Sequence, residues 1–158
     1  MKKYMIALAA LAFMAWGCSS DNDDDQGLFK MGNDARPAEW RIPNFNDYEL
    51  TMSIDVKLQD VLQAYGSEND LLCAFIQDEI RGLAEPIQVN GQWVFPMTVG
   101  SNASDVPVFL SYYCDRLHRI YTTQWTTFDT TLPPTGVGGI YQPEFVPKNE
   151  TINYFNNL

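Results

Sequence analysis

Apolar and polar residues alternate along the middle of this chain with the two-residue period of a half-buried strand. Leu50, Met52, Ile54 and Val56 oppose Glu49, Thr51, Ser53, Asp55 and Lys57, which predicts a strand over Tyr48–Lys57. Leu58, Val61 and Leu62 then take helical spacing, enough for one short turn of helix. Gly66–Asp70 reads as a polar loop, and the apolar runs Leu71–Gln77 and Ile80–Ala84 follow, parted by Asp78 and Glu79. Trp93, Phe95, Met97 and Val99 share one parity after the Asn90-Gly91 turn signal, and Pro96 marks an edge or a bulge. Val108, Leu110, Tyr112 and Cys114 alternate within Pro107–Asp115, and Asp115–His118 turns that strand into Arg119–Trp125. After a loop of Thr, Pro and Gly, Ile140–Val146 closes the set. About seven or eight short strands separated by turn signals predict an all-β chain, an antiparallel β-sandwich of immunoglobulin-like size and strand count.

The stretch Leu71–Ala84 predicts a tight hairpin. A two-residue loop at Gln77-Asp78 pairs Ile76 with Glu79, Phe75 with Ile80, Ala74 with Arg81 and Cys73 with Gly82. That register gives a dry face of Leu71, Cys73, Phe75, Ile80 and Ala84, with Glu79 and Arg81 on the other.

Asp70-Leu71-Leu72-Cys73-Ala74-Phe75-Ile76-Gln77-Asp78-Glu79-Ile80-Arg81-Gly82-Leu83-Ala84 resembles the "GD-x-I-x-AF-V-GDECRG-VA" repeat of secreted and surface proteins of Bacteroidetes. Trp40 with Pro43, the strand beginning at Tyr48, Pro86 and the hairpin from Tyr112-Tyr113 to Arg119-Ile120-Tyr121 extend the resemblance over residues 40–146. Gln77 stands in place of a turn glycine, Ile80 in place of a frequent cysteine, and Cys73 where a small residue is common. The family carries no settled activity to transfer, so function has to come from the residues themselves.

The start of the chain adds a compartment. Lys2 and Lys3 precede the unbroken apolar run Met5–Trp16, which has the form of a secretory leader and falls short of the about 20 apolar residues of a spanning helix. Ala15-Trp16-Gly17-Cys18 looks like a lipobox, which makes Cys18 the lipidation site and residues 1–17 the leader; an ordinary leader with an incidental cysteine is the plainer alternative. Ser19–Asp25 is acidic and resembles the tag that sends such lipoproteins to the outer face of the outer membrane. Residues 18–39 therefore read as a lipidated, solvated tether, 40–147 as the sandwich and 148–158 as a polar tail.

Charge narrows the partners. Ten Lys and Arg face 20 Asp and Glu, a formal balance of −10, and removing the leader with its two lysines makes the excess larger. Such a chain repels nucleic acid and anionic membrane surfaces, so its contact with a membrane has to run through the lipid. Neutral glycans or a surface protein are the ligand classes that remain for a binding or adhesion role. The alternative is a structural or assembly subunit of an envelope or pilus-like complex that pairs through an edge strand.

Candidate chemistry is sparse, and the composition predicts a non-enzymatic protein with no cofactor and no metal. His118 is the only histidine, which excludes a histidine-based triad and a multi-histidine zinc site, and it sits in a polar turn. Cys73 and Cys114 lie in an export-permissive compartment, so they form either a disulfide or two buried free thiols. Glu68/Asp70 and Asp78/Glu79 invite calcium, yet Asp70 and Asp78 bracket one strand and stand about 26 Å apart; solvated turns are the better reading. Tyr121 and Trp125, ringed by threonines and followed by the Thr127–Gly139 loop, are the candidate exposed rings for stacking on a sugar, with core packing as the plainer alternative. Asp129-Thr130-Thr131 resembles the O-glycosylation motif of this bacterial group, which assigns the modification to Thr130.

Overall fold

The computed structural model describes residues 29–123, 126–130 and 140–148. The leader, Cys18, the acidic tether Ser19–Asp25, Trp125, residues 131–139 and the tail from residue 149 lie outside the described residues. Two antiparallel sheets pack face to face in an all-β sandwich. The smaller has the order β1-β5-β4, from β1 (Leu50–Lys57), β5 (Gln92–Ser101) and β4 (Ile87–Val89). The larger has the order β3-β2-β6-β7-β9, from β3 (Glu79–Ala84), β2 (Leu71–Ile76), β6 (Val106–Cys114), β7 (Arg119–Thr123) and β9 (Phe145–Pro147). A further short strand, β8 (Thr126–Phe128), pairs with the start of β6.

The alternation read in β1 is the one the fold uses. Met52, Ile54 and Val56 are buried and pair with Val99, Met97 and Phe95 of β5, while Thr51, Ser53 and Asp55 are exposed. The larger sheet meets this face with Leu72, Ala74, Leu110, Tyr112, Tyr121 and Phe145. Tyr112 is the centre of an aromatic group, with ring centroids 5.8 Å from Phe95, 5.8 Å from Tyr121 and 5.5 Å from Phe145. Each such side chain contributes about 1.5–3 kcal/mol by leaving water. The one-turn helix α1 (Asp60–Gln63) buries Leu62, and Gln63 fastens it to β5: its Oε1 accepts from the Trp93 N–H at 2.7 Å.

Asn90 and Gly91 take φ of 51° and 76°, the left-handed pair of a tight hairpin turn that joins β4 to β5. Pro96 lies past Val94, the last β5 residue that β4 pairs, so it occupies a local edge.

The β2–β3 hairpin departs from its expected register. Ile76 pairs with Glu79 and Phe75 with Ile80, but a bulge at Arg81 then sets Ala74 opposite Gly82 and Cys73 opposite Leu83. The core face carries Leu72, Ala74, Ile76, Gly82 and Ala84, the reverse of the expected parity along β2. Leu71 and Cys73 are buried too, because the opposite face of β2 is also covered.

That cover begins in what the sequence presents as tether. The Gly32 N–H donates to the Leu117 carbonyl at 2.8 Å and the Asp34 N–H to that of His118 at 2.9 Å. The Asp34 carboxylate accepts from the Ile120 N–H at 2.8 Å, and Arg36 reaches the Asn69 carbonyl. Pro37 is buried, Trp40 sets its ring edge-on to Phe75, and Phe29 stacks on Tyr65 at 5.2 Å. The folded unit thus starts at least at Phe29 rather than Trp40. The strap is held by backbone hydrogen bonds and three apolar anchors, which a polar, Gly- and Pro-containing composition does not disclose.

Candidate functional site

Most groups with chemical potential are committed to the fold. Asp70 is 1% exposed and accepts four hydrogen bonds: from the Ser67 N–H at 3.0 Å, the Ser67 hydroxyl at 2.8 Å, the Tyr112 hydroxyl at 2.6 Å and the Asp115 N–H at 2.9 Å. A solvated turn was the expectation for this residue; instead it pins the Gly66–Asp70 loop to the end of β6. The signal available in the sequence was Ser67, three residues before an aspartate that opens a buried strand. Burial, then the Asp70 charge, push the Tyr112 hydroxyl far above the ordinary tyrosine range, so it stays a proton donor.

Cys73 and Cys114 are both buried and both free. Register gives the reason. Cys73 lies opposite Ser111 on β6, so it shares a face with Ser111 and Tyr113, whereas Cys114 shares the other face with Tyr112. Thiols on opposite faces of one sheet cannot bond. Burial and the nearby Glu39 charge push the Cys73 thiol up to about 12, and burial raises Cys114 as well, which leaves both poor nucleophiles. His118 is exposed at the β6–β7 tip with φ 46°, its Nδ1 3.4 Å from the Tyr113 hydroxyl.

The expected aromatic platform is not assembled. Tyr121 is 0% exposed and stacks in the core against Tyr112, so its ring cannot meet a ligand; its β7 neighbour Thr123 is buried beside it. Strand parity placed Tyr121 and Trp125 together but could not say which face was inward. Trp125 lies outside the described residues. Thr130 is exposed just past β8. Among the described residues no group of three or more His, Cys, Asp or Glu could hold a metal.

What does remain open is backbone. Tyr141 makes an isolated parallel bridge to Val56: its N–H donates to the Asp55 carbonyl at 2.8 Å, and its carbonyl accepts from the Lys57 N–H at 2.8 Å. Odd-numbered residues of β1 therefore point their peptide groups away from β5. The same geometry aims both backbone groups of Thr51 and Ser53, and the Asp55 N–H, off the sheet. No described residue pairs with them. The edge is regular, exposed and free of proline, and its side chains are Thr51, Ser53 and Asp55, with Glu49 just before it.

The edges at β4 and β3 are blunted. β4 is three residues long, and its Val89–Gln92 pair flanks the turn, so only Gln88 turns its peptide groups outward. The bulge at Arg81 interrupts β3, and Arg81 folds over the Tyr48 ring, 4.8 Å from its centroid, while bonding Glu79 at 2.6 Å. No family model, curated protein or solved structure matches the chain.

Proposed function

We propose that this chain is a lipid-anchored protein of the outer membrane, facing the cell exterior, whose β-sandwich binds another protein and catalyses nothing. The anchor follows from Ala15-Trp16-Gly17-Cys18 and the acidic Ser19–Asp25 behind it. The binding reading is carried by one observation, the outer edge of β1, unpaired among the described residues, on a domain whose Asp70, Cys73 and Cys114 are consumed by structure. An edge of this kind is suited to a protein partner and offers nothing to a sugar ring. A neutral glycan is the second reading, and with Tyr121 buried it rests on Trp125 alone.

Fractionation of cells tests the anchor. Cys18→Ser is expected to leave the membrane fraction and to lose the incorporated acyl label. A variant retained as well as the native chain, with no label on either, would refute the anchored reading. Replacement of Asp21, Asp23, Asp24 and Asp25 by Ala is expected to protect the protein from protease added outside intact cells; equal sensitivity refutes exterior display.

A further inference from the structure

The β1 edge is specific about what can pair with it. An added strand must use the outward groups of Thr51, Ser53 and Asp55, because Tyr141 already occupies the Asp55 carbonyl and the Lys57 N–H. The usable backbone thus runs from Thr51 to the Asp55 N–H, because the Glu49 N–H already donates to the Asn102 side chain at 2.8 Å. Lys57, salt-bridged to Asp60 at 3.4 Å, is outside it, and Glu49 flanks the edge with its side chain. This decides against a second copy. Antiparallel self-pairing centred on Ser53 would match Glu49 with Lys57, but it runs both chains into the Tyr141 segments. Of the registers that avoid Tyr141, the one that uses the whole edge sets Glu49 opposite Asp55, and directly opposed like charges destabilise a strand pair. Both side chains are exposed, and the net charge of −10 adds a longer-range repulsion between copies.

We infer that the outer edge of β1 is a strand-addition site for an extended, cationic segment of a different protein, with basic side chains opposite Glu49 and Asp55 and small β-formers opposite Thr51 and Ser53. The inference deepens the protein-binding reading above and rests on it. Opposed residues of a hydrogen-bonded antiparallel pair share a face, so the complementary sequence alternates in two-residue steps along the solvent side of the smaller sheet. Backbone bonds supply attraction, and the acidic pair supplies orientation and partner choice.

The test uses the full chain in detergent and two capped heptapeptides, Lys-Val-Thr-Val-Thr-Val-Lys and Glu-Val-Thr-Val-Thr-Val-Glu. Amide hydrogen exchange and fluorescence anisotropy are read together. The lysine peptide is expected to bind and to slow exchange at Thr51 and Ser53, while the glutamate peptide binds at least tenfold more weakly. In the double variant Glu49→Lys with Asp55→Lys, both exposed positions, the preference is expected to invert. Three results overturn the inference: binding of the lysine peptide without protection at Thr51 and Ser53, no binding of either peptide at millimolar concentration, or protection of those amides by self-association with no peptide present. Equal protection of Thr51 and Ser53 by both peptides would likewise overturn the cationic partner while leaving β1 a protein-binding edge, so failure of this inference and failure of the protein-binding reading are told apart.

Discussion

At Gly82 β3 comes into close contact with β5 of the facing sheet, and replacing it measures that contact. Its φ is outside the left-handed region, so a side chain meets no backbone strain, only neighbours. A Cβ built there lies 2.5 Å from the Thr98 carbonyl oxygen of β5, and 3.2 Å and 3.3 Å from Sδ and Cγ of Met97. Met97 can rotate its side chain; the carbonyl cannot move, because Thr98 lies between Met97 and Val99, whose backbones pair with Ile54 and Met52 in the β1–β5 ladder. Relief requires the sheets to part by roughly 0.5–1 Å, which forfeits about a quarter to a half of each contact well along the seam. Overpacking of this kind costs about 1–3 kcal/mol, from which the lower unfolded-state entropy of alanine recovers about 0.4–1. Gly82→Ala should therefore lose about 1–2 kcal/mol, and Gly82→Val about 3 or more. Equilibrium denaturation reads both, with a Tm shift of roughly 4 °C per kcal/mol for a domain of this size. Gly91 is the control, with φ +76° and nothing within 4 Å of a built Cβ. There asparagine should be tolerated, since only the backbone is at issue, whereas Gly82→Asn should be as harmful as valine. An unchanged or raised midpoint for Gly82→Ala would refute the close approach of β3 to β5.

Asp70→Asn should destabilise the domain by about 2–4 kcal/mol, since four donors converge on a group that now presents two donors of its own; Tyr112→Phe, which leaves three of those bonds in place, should cost about 1–2, and equal losses in denaturation would refute the cluster. Thiol titration at pH 8 should find Cys73 and Cys114 unreactive in the folded chain and both reactive in denaturant without reductant, because the rise of the Cys73 thiol from 9.0 to about 12 cuts its thiolate population about a thousandfold; a single thiol or none in denaturant would mean that they are bonded. Gly32→Val should lift the strap, because a Cβ there lies 2.6 Å from the His118 carbonyl oxygen; faster exchange of the Ile120 amide, whose acceptor is Asp34, is the readout, and unchanged protection would refute the docking.

The sandwich was legible because its strands alternate. β1, β5 and β6 show a two-residue period over most of their length, and each buries the parity that the period marks. The hairpin was legible only in part. Both parities of β2 are apolar, since both of its faces are covered, so alternation could not choose the core side. The bulge at Arg81 is equally silent, because a bulge conserves composition and changes only the count. Gln77 at φ 56° shows the same limit: the turn was placed correctly, but nothing in its composition announced a left-handed residue where glycine is the usual choice. Tyr121 failed for a different reason. A tyrosine on a strand suits both an exposed ring and a core ring, and only its stacking on Tyr112 separates them.

The strap and the β1 edge fit one arrangement when taken together. Phe29, the first described residue, packs on Tyr65, and the strap then crosses the outer face of the larger sheet by way of Leu117, His118 and Phe75. The described chain enters the domain at Phe29, on the side of the larger sheet, so the tether proposed above would join it there. The open edge belongs to the smaller one. Tension on such a tether would act first on the strap bonds at Gly32 and Asp34, and β1 would bear none of it directly. The proposed anchor on one sheet and an edge unpaired among the described residues on the other would let a partner strand add to β1 without displacing any segment that holds the protein to its membrane.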